Sequence, residues 1–207
     1  MVKAIGILWF LLLAIGVTVF MRFENRAGLA ASAPSDWPAD SRIQRATDRP
    51  PTLIMLAHPR CSCTRASLSE LERVMTELNG RVSAHVVFIN PDGADAEWTN
   101  TDLWERAAAI PNVNVLRDNH GVEAARFDSK TSGQTMLYDA DGKLMFKGGI
   151  TIGRGLEGDS LGSQTIVSIV NGEASPQGDT NVYGCPLFAT DPNADQRTEA
   201  TNARSKN

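Results

Sequence analysis

Apolar residues follow two different spacings along the middle of the chain, between residues 52 and 172. Short apolar runs bounded by turn residues are typical of buried strands, whereas apolar residues three and four positions apart indicate one face of a helix. The first spacing predicts strands at residues 52–57, 84–89, 113–116, 135–138 and 144–147. The second predicts helices at residues 61–78, about 98–108, 122–127 and 161–171.

Strands that alternate with helices predict an α/β layer fold. The sequence Asp139-Ala140-Asp141-Gly142 separates the last two predicted strands and is typical of a hairpin turn. A hairpin adds antiparallel pairing to strands that are otherwise joined through helices. We therefore expect a mixed central sheet flanked by helices.

A long apolar run precedes this body. Residues 4–20 carry no charge, with Lys3 before them and Arg22 after them. The run is close to the roughly 17–25 residues that span a bilayer, and longer than the core of a secretory signal, about 7–15 residues. The one tempting cleavage sequence, Ala-Ser-Ala at 31–33, lies far beyond it. We predict an uncleaved single-pass anchor over residues 1–21, with a cleaved signal as the alternative. The very short N-terminus with Lys3 favours a body outside the cytoplasm, although the flanking charges do not decide orientation.

The remaining segments divide by composition. Residues 22–51 have mixed charge, several prolines and little apolar periodicity, which predicts an exposed linker. Residues 191–207 have almost nothing to bury, which predicts a disordered tail. Residues 52–190 between them have the length of a single domain. The net charge of −4 and the lack of a basic cluster argue against nucleic acid as a partner.

Candidate chemistry is concentrated at residues 58–65, His-Pro-Arg-Cys-Ser-Cys-Thr-Arg, between the first predicted strand and helix. Free N–H groups and the dipole at a helix start favour an anion. Here, beside Arg60 and Arg65, the pKa of a thiol is expected to fall below its ordinary value of about 8.5. We therefore predict that Cys61 and Cys63 are reactive or metal-binding, rather than small buried hydrophobes. Outside the bacterial inner membrane they would meet oxidising conditions.

Three features together resemble the thioredoxin fold over roughly residues 50–172. They are the strand–cysteine–helix unit, Val-Leu-Arg-Asp at 115–118 before Gly-Val-Glu-Ala-Ala, and Leu-Tyr-Asp-Ala-Asp-Gly-Lys at 137–143 before Phe-Lys-Gly-Gly. The chain looks like the membrane-tethered, extracytoplasmic branch that serves thiol–disulfide exchange and cytochrome c maturation, and is also similar to bacterial thioredoxin-like proteins labelled RedB. The resemblance implies a periplasmic thiol–disulfide oxidoreductase on the inner membrane, acting on protein thiols or disulfides.

The chain departs from that family at two positions. The family signature is Cys-x-x-Cys, whereas Cys61 and Cys63 are two residues apart, with Thr64 in the position of the second cysteine. Residues two apart do not share a helix face, so a disulfide between them would distort the turn and be labile. The family also has a cis-proline before the strand that faces the cysteines. Gln134 stands there, and a non-proline cis bond is costly, which puts the usual substrate-docking ledge in doubt.

Two further segments are candidates for the site. Cys185 lies in the apolar sequence Tyr-Gly-Cys-Pro-Leu-Phe at 183–188, and with three cysteines one stays unpaired in any single-chain scheme. It is predicted to approach the Cys61 turn as a resolving thiol or third metal ligand, or else to be packing. The glycine-rich residues 148–159 could bring Arg154 and Glu157 to the substrate.

Metal binding is the main alternative to exchange. Cys61, Cys63 and His58 would form a soft site that suits Cu(I), as in thioredoxin-fold copper chaperones, although their Cys-x-x-x-Cys motif is missing. Peroxide reduction by Cys61 and a non-catalytic interaction domain rank lower. The prediction is a thiol–disulfide oxidoreductase without a firm cofactor, with Cys61 as nucleophile and Cys63 as resolving or co-ligating thiol. His58, Arg60 and Arg65 would tune the site and Thr64 would line it.

Overall fold

A five-stranded sheet forms the centre of the protein in a computed structural model, which describes residues 2–29, 31–45, 50–175 and 178–188. The strands are β1 Thr52–Ala57, β2 Ser83–Asn90, β3 Val113–Asn119, β4 Gln134–Tyr138 and β5 Leu144–Gly148. The helices are α1 Val2–Glu24, α2 Ser62–Leu78, α3 Asp102–Ala108, α4 Val122–Arg126 and α5 Leu161–Asn171. A 3₁₀ turn at Ala96–Trp98 precedes α3, so the predicted helix at about 98–108 is two shorter elements.

The strands lie in the order β3-β2-β1-β4-β5. β1, β2 and β3 are parallel, whereas β4 is antiparallel to both β1 and β5. This mixed, thioredoxin-like α/β fold confirms the predicted fold class. Because β1 is the middle strand and all six of its residues are buried, the turn after it emerges at the centre of one sheet edge.

Each face of the sheet has its own core. On one face, Leu53 and Met55 of β1 pack with Leu68 and Leu71 of α2 and with Ile166 of α5. The opposite face has a second cluster made by the alternate strand residues, since successive side chains of a strand point to opposite sides. Its largest buried side chains are Ile54, Leu56, Phe127, Met136 and Tyr138. The helix that carries the cysteine motif is therefore fixed along its apolar side.

The expectation that residues 22–51 form an exposed linker is wrong for residues 31–45. Ile43 is buried, and the Trp37 ring lies edge-on to the rings of Phe127 and Tyr138, with centroids 5.1 and 5.2 Å away. The Tyr138 hydroxyl donates to the Pro34 carbonyl at 3.0 Å. These few apolar side chains help cover the second face of the sheet. Irregular chain has no period, so hydrophobic spacing could not predict this packing.

α1 is an isolated apolar helix. Between Ile5 and Arg22 none of its residues is buried, and the helix is long and apolar enough to cross a membrane. A signal sequence near an N-terminus has the same properties. Residues 191–207, predicted to be a disordered tail, lie outside the described residues, as do Met1 and residues 46–49. Apart from the linker expectation for residues 31–45, the proposed domain boundaries stay predictions.

Candidate functional site

The cysteine motif sits where the central strand turns into a helix. After β1 ends at Ala57, Cys61 is the N-cap residue of α2, and its carbonyl accepts from the Thr64 N–H at 3.0 Å. The Cys61 side chain is only 1% exposed. Cys63 follows inside the first helical turn and is also buried. The cysteines thus lie at the expected helix start, and Cys61 is covered.

Residues 182–188 lie over the Cys61 sulfur and are called the cover below. The backbone N–H of Cys185 donates to the Cys61 sulfur at 3.3 Å. The Cys185 carbonyl in turn accepts from the Ser132 N–H at 2.8 Å, and Thr131 pairs with Pro186 as an antiparallel bridge. The predicted proximity of Cys185 to Cys61 is therefore present. Its role in chemistry stays a prediction.

Gly184 allows this close approach of two backbones. A Cβ atom at this position would lie 1.9 Å from the Ser132 carbonyl oxygen, which no side chain can accommodate without a backbone shift. The Gly184 carbonyl also accepts from Nη1 of Arg154 at 2.9 Å. Glycine at this point is thus a steric requirement of the cover.

The three thiols have different acidities. Burial alone would raise the pKa of Cys61. Two contacts with Cys185, from its thiol and its N–H, lower this pKa, and so do the nearby N–H groups of Cys63 and Thr64. Together they outweigh burial, and the pKa of Cys61 is lowered. Those two helix N–H groups act through proximity, since neither forms a regular capping hydrogen bond to the sulfur. Burial and the charge on Cys61 raise the pKa of Cys63. Burial and the contact with Cys61 raise that of Cys185 to about 12. Cys61 is therefore the most acidic of the three thiols.

A small, hydrogen-bonded polar ring of His58, Thr64 and Ser132 supports the backbone of the cysteine motif. The His58 N–H donates to the Ser132 hydroxyl at 2.9 Å, and the Thr64 hydroxyl donates to the His58 carbonyl at 3.1 Å. The hydroxyls of Thr64 and Ser132 are 2.9 Å apart and buried. Thr64 thus lies at the cysteine turn, where its hydroxyl supports the backbone. Ser132 was missed by the sequence analysis, although it lies two residues before Gln134, which was considered as the substrate-docking position.

The two arginines of the motif, expected to stabilise the Cys61 thiolate, have other partners. The guanidinium of Arg60 lies 3.8 Å from the centroid of the Trp98 ring, and Arg65 forms an ion pair with Asp102 of α3. Both side chains are drawn to α3 and the 3₁₀ turn before it. The acidity of Cys61 comes from hydrogen bonds and nearby N–H groups instead.

Of the glycine-rich residues 148–159, Arg154 reaches the site and Glu157 does not. Arg154 donates from Nε to the Arg26 carbonyl at 3.1 Å, in addition to its bond to Gly184. Its charge lowers the pKa of Cys63 and Cys185, partly offsetting their burial. Glu157 accepts from the Ser69 hydroxyl at 2.7 Å, farther along α2. That bond ties the loop to α2.

Gln134 and His58 were expected to take part in the site, and each makes its contacts with neighbouring residues instead. Gln134 is buried at the start of β4, paired with Leu56, and its side-chain oxygen has no hydrogen-bond partner among the described residues. His58 Nδ1 accepts from the Arg60 N–H at 3.1 Å, and its ring packs edge-on against Trp98. Across the described part of the chain, no group of three or more His, Cys, Asp or Glu side chains is arranged to hold a metal ion. The three-ligand site of Cys61, Cys63 and His58 is therefore not assembled in this arrangement.

An open cleft of about 640 Å³ runs beside the turn. His58 and Trp98 form one wall, and Pro186 and Phe188 of the cover form another. Phe188 is 41% exposed at its mouth. The cleft is lined by apolar side chains together with Asp92 and His120, and Pro186 connects it to the neighbouring Cys185.

Two solved structures, with TM-scores of 0.58 and 0.56, support the fold. An uncharacterized conserved protein from Geobacillus kaustophilus is 18% identical, with a TM-score of 0.58 over 80% of this chain and 93% of that chain. A hypothetical protein from Sinorhizobium meliloti 1021 is 17% identical, with a TM-score of 0.56 over 80% of this chain and 96% of that chain. The pneumococcal exposed lipoprotein thioredoxin of Streptococcus pneumoniae strain TIGR4 is 16% identical, with a TM-score of 0.45 over 68% and 99%. At these identities the likeness concerns the fold alone. No protein-family model and no curated protein matches the sequence.

Proposed function

We propose that this protein is a thiol–disulfide oxidoreductase in which Cys61 is the nucleophile. The observation that carries the proposal is the surroundings of the Cys61 sulfur, which lies at the start of α2, accepts the Cys185 N–H at 3.3 Å and has a second thiol beside it. Thiolate is the attacking form in disulfide exchange, and a lowered pKa increases its fraction near neutral pH. The substrates are protein thiols or disulfides, and either Cys63 or Cys185 supplies the second sulfur.

The proposal includes a place in the cell: the domain faces the periplasm and α1 anchors it in the inner membrane. The apolar, fully exposed surface of α1 supports an anchor. The chain after α1 also supports its retention, because Ala31 and Ala33 are buried and the Ser32 N–H donates to Asp128 at 3.0 Å. Cleavage at this Ala-Ser-Ala sequence would cut chain that is packed on the domain.

The test is reduction of insulin disulfides by the full-length protein in detergent, with a dithiol as electron source. We expect the wild type to accelerate reduction, and Cys61→Ser to lose that activity while keeping its thermal unfolding transition. Gly178→Ala is a suitable control, since Gly178 has open space around it.

Copper binding is measured on the same reduced protein by competition with a Cu(I) chelator. We expect exchange activity that does not depend on copper. Tight one-to-one Cu(I) binding by a protein without exchange activity would overturn the proposal in favour of copper delivery.

A further inference from the structure

The Cys61 sulfur is enclosed by the cover, residues 182–188 of the same chain. Cys61 is 1% exposed, so the sulfur of a protein substrate cannot reach it while residues 182–188 stay in place. Pairing of Cys185 and Leu187 with the backbone of residues 130–132 holds the segment, and the buried side chains of Val182 and Leu187 add apolar contact. Thiol exchange with a protein therefore requires this segment to move.

The segment also carries a thiol to the nucleophile. Cys185 and Cys61 are 124 residues apart in sequence, yet the N–H of Cys185 donates to the Cys61 sulfur at 3.3 Å, and each thiol shifts the pKa of the other. Cys63 is less suitable as a partner for Cys61. The two residues flank Ser62, the first residue of α2, and a disulfide between them would distort the turn held by the Thr64 N–H and the Cys61 carbonyl.

We propose that Cys185 is the resolving thiol of this site and that residues 182–188 form a movable cover, which leaves Cys61 to admit a substrate and returns to release it. This inference rests on the proposed exchange function and assigns the second sulfur, with Cys63 remaining a free thiol.

The steps balance as a two-electron exchange. With the cover displaced, the Cys61 thiolate attacks one sulfur of a protein disulfide, and a mixed disulfide forms while the other substrate sulfur leaves as a thiolate and takes a proton. On return of the cover, Cys185 loses its proton and attacks the Cys61 sulfur. The Cys61–Cys185 disulfide forms and the second substrate sulfur leaves as a thiolate. The substrate gains two electrons and two protons, and a dithiol reductant restores the two cysteines.

The charges around Cys185 agree with this order of events. While Cys61 is a thiolate, its negative charge is one of the causes that raise the pKa of Cys185, so Cys185 keeps its proton. Once Cys61 is part of a mixed disulfide, that charge is gone. The positive charge of Arg154, which favours the Cys185 thiolate, remains. Cys185 thus becomes more acidic after the first attack.

The test uses full-length protein in detergent, oxidised with glutathione disulfide, quenched with acid, alkylated and digested with trypsin without reduction. Cleavage after Arg60 and Arg65 gives one peptide that contains both Cys61 and Cys63, and Cys185 lies on a separate peptide that starts after Arg154. We expect the two peptides to be linked in wild type and in Cys63→Ser. A loop disulfide inside the first peptide, with Cys185 alkylated, would overturn the inference.

Two glycine variants keep all three thiols. Gly184→Ala places a Cβ 1.9 Å from the Ser132 carbonyl oxygen and should push the cover off, whereas Gly178→Ala meets nothing within 4 Å. We expect Gly184→Ala to lower the effective concentration of Cys185 at Cys61 by about tenfold or more, measured as the glutathione ratio that gives half oxidation. Gly178→Ala should behave as wild type. An unchanged ratio in Gly184→Ala would contradict the cover.

Turnover distinguishes this inference from the proposed function. Cys185→Ser should accumulate a mixed disulfide with the substrate, whereas Cys63→Ser should not accumulate it. If Cys61→Ser is inactive but Cys63→Ser accumulates the mixed disulfide and Cys185→Ser turns over, the exchange function stands and the assignment of Cys185 is wrong. If wild type has no exchange activity, the proposed function itself fails.

Discussion

The backbone N–H of Cys185 donates a hydrogen bond to the sulfur of Cys61 across a sequence separation of 124 residues. The contact joins the start of α2 to residues 182–188, which follow the last helix of the domain. It has two effects on one atom, because the same segment that stabilises the Cys61 thiolate also shields it from solvent. Thiolate stability and access are therefore coupled in opposite directions, because the segment favours the thiolate while it is in place and exposes the sulfur when it moves away.

The lowered pKa of Cys61 predicts that the first thiolate step of the reduced protein occurs below the ordinary pKa of a thiol. The pKa of Cys61 is lowered, whereas those of Cys63 and Cys185 are raised, so one thiol titrates well before the others as pH increases. Thiolate absorbance in the ultraviolet should show this early step in wild type. Cys61→Ser should lack it, and in Cys185→Ala it should move to higher pH because the neighbouring thiol is lost. An early step that persists in Cys61→Ser would assign it to another group.

Arg154 offers a second test of the cover. Its guanidinium joins the Arg26 and Gly184 carbonyls, and its charge lowers the pKa of Cys185. Arg154→Gln should therefore raise the pKa of Cys185 further and reduce the fraction of Cys61–Cys185 disulfide at a fixed glutathione ratio. Arg60→Gln is the matched control, because Arg60 lies over Trp98 and should leave that fraction unchanged. Equal losses in both variants would indicate a general effect of charge.

The fold could be predicted because its signals are local. β1 is a continuous apolar run and α2 has regularly spaced leucines, so their types and positions follow from spacing within the sequence. The hairpin between β4 and β5 follows from its turn residues. Residues 31–45 have no such period. Their packing depends on which part of the sheet is left uncovered, which only the assembled fold determines.

The candidate site likewise has some features that local sequence predicts and others that depend on the assembled fold. The position of Cys61 at a helix start is a local property and was predicted. Arg60 and Arg65 were expected to stabilise the thiolate, but sequence adjacency does not give side-chain direction, and both arginines have partners near α3. Ser132 could not be found by local pattern, since its bonds to Thr64 and His58 join segments about 70 residues apart.

The buried polar ring predicts a difference between two threonines of α2. Thr64 and Thr76 each donate to a backbone carbonyl, but Thr64 is buried and also bonds Ser132, whereas Thr76 is exposed. Thr64→Ala leaves buried polar groups without a partner and should lower the free energy of unfolding by about 1–3 kcal/mol. Thr76→Ala should stay within about 0.5 kcal/mol of wild type. Urea denaturation of the reduced proteins measures both, and similar small losses would contradict a supporting role for the ring.

The packing of residues 31–45 predicts different outcomes for two N-terminal truncations. Deletion of residues 2–24 removes only α1, and deletion of residues 2–49 also removes the chain that packs on the sheet. Both proteins should leave the membrane pellet, whereas the full-length protein should stay in it, because α1 supplies the apolar surface.

Only the longer deletion should destabilise the domain. It exposes the apolar surface under Ile43 and Trp37, and it removes the Ser41 hydroxyl that donates to buried Glu123 at 2.6 Å. Burial of one large apolar side chain contributes about 1.5–3 kcal/mol, so the longer deletion should lower the free energy of unfolding by at least about 3 kcal/mol relative to the shorter one. Urea denaturation of the two truncated proteins gives this difference directly. Equal stability would mean that residues 31–45 are a linker after all, and a soluble full-length protein would remove the support for an anchor.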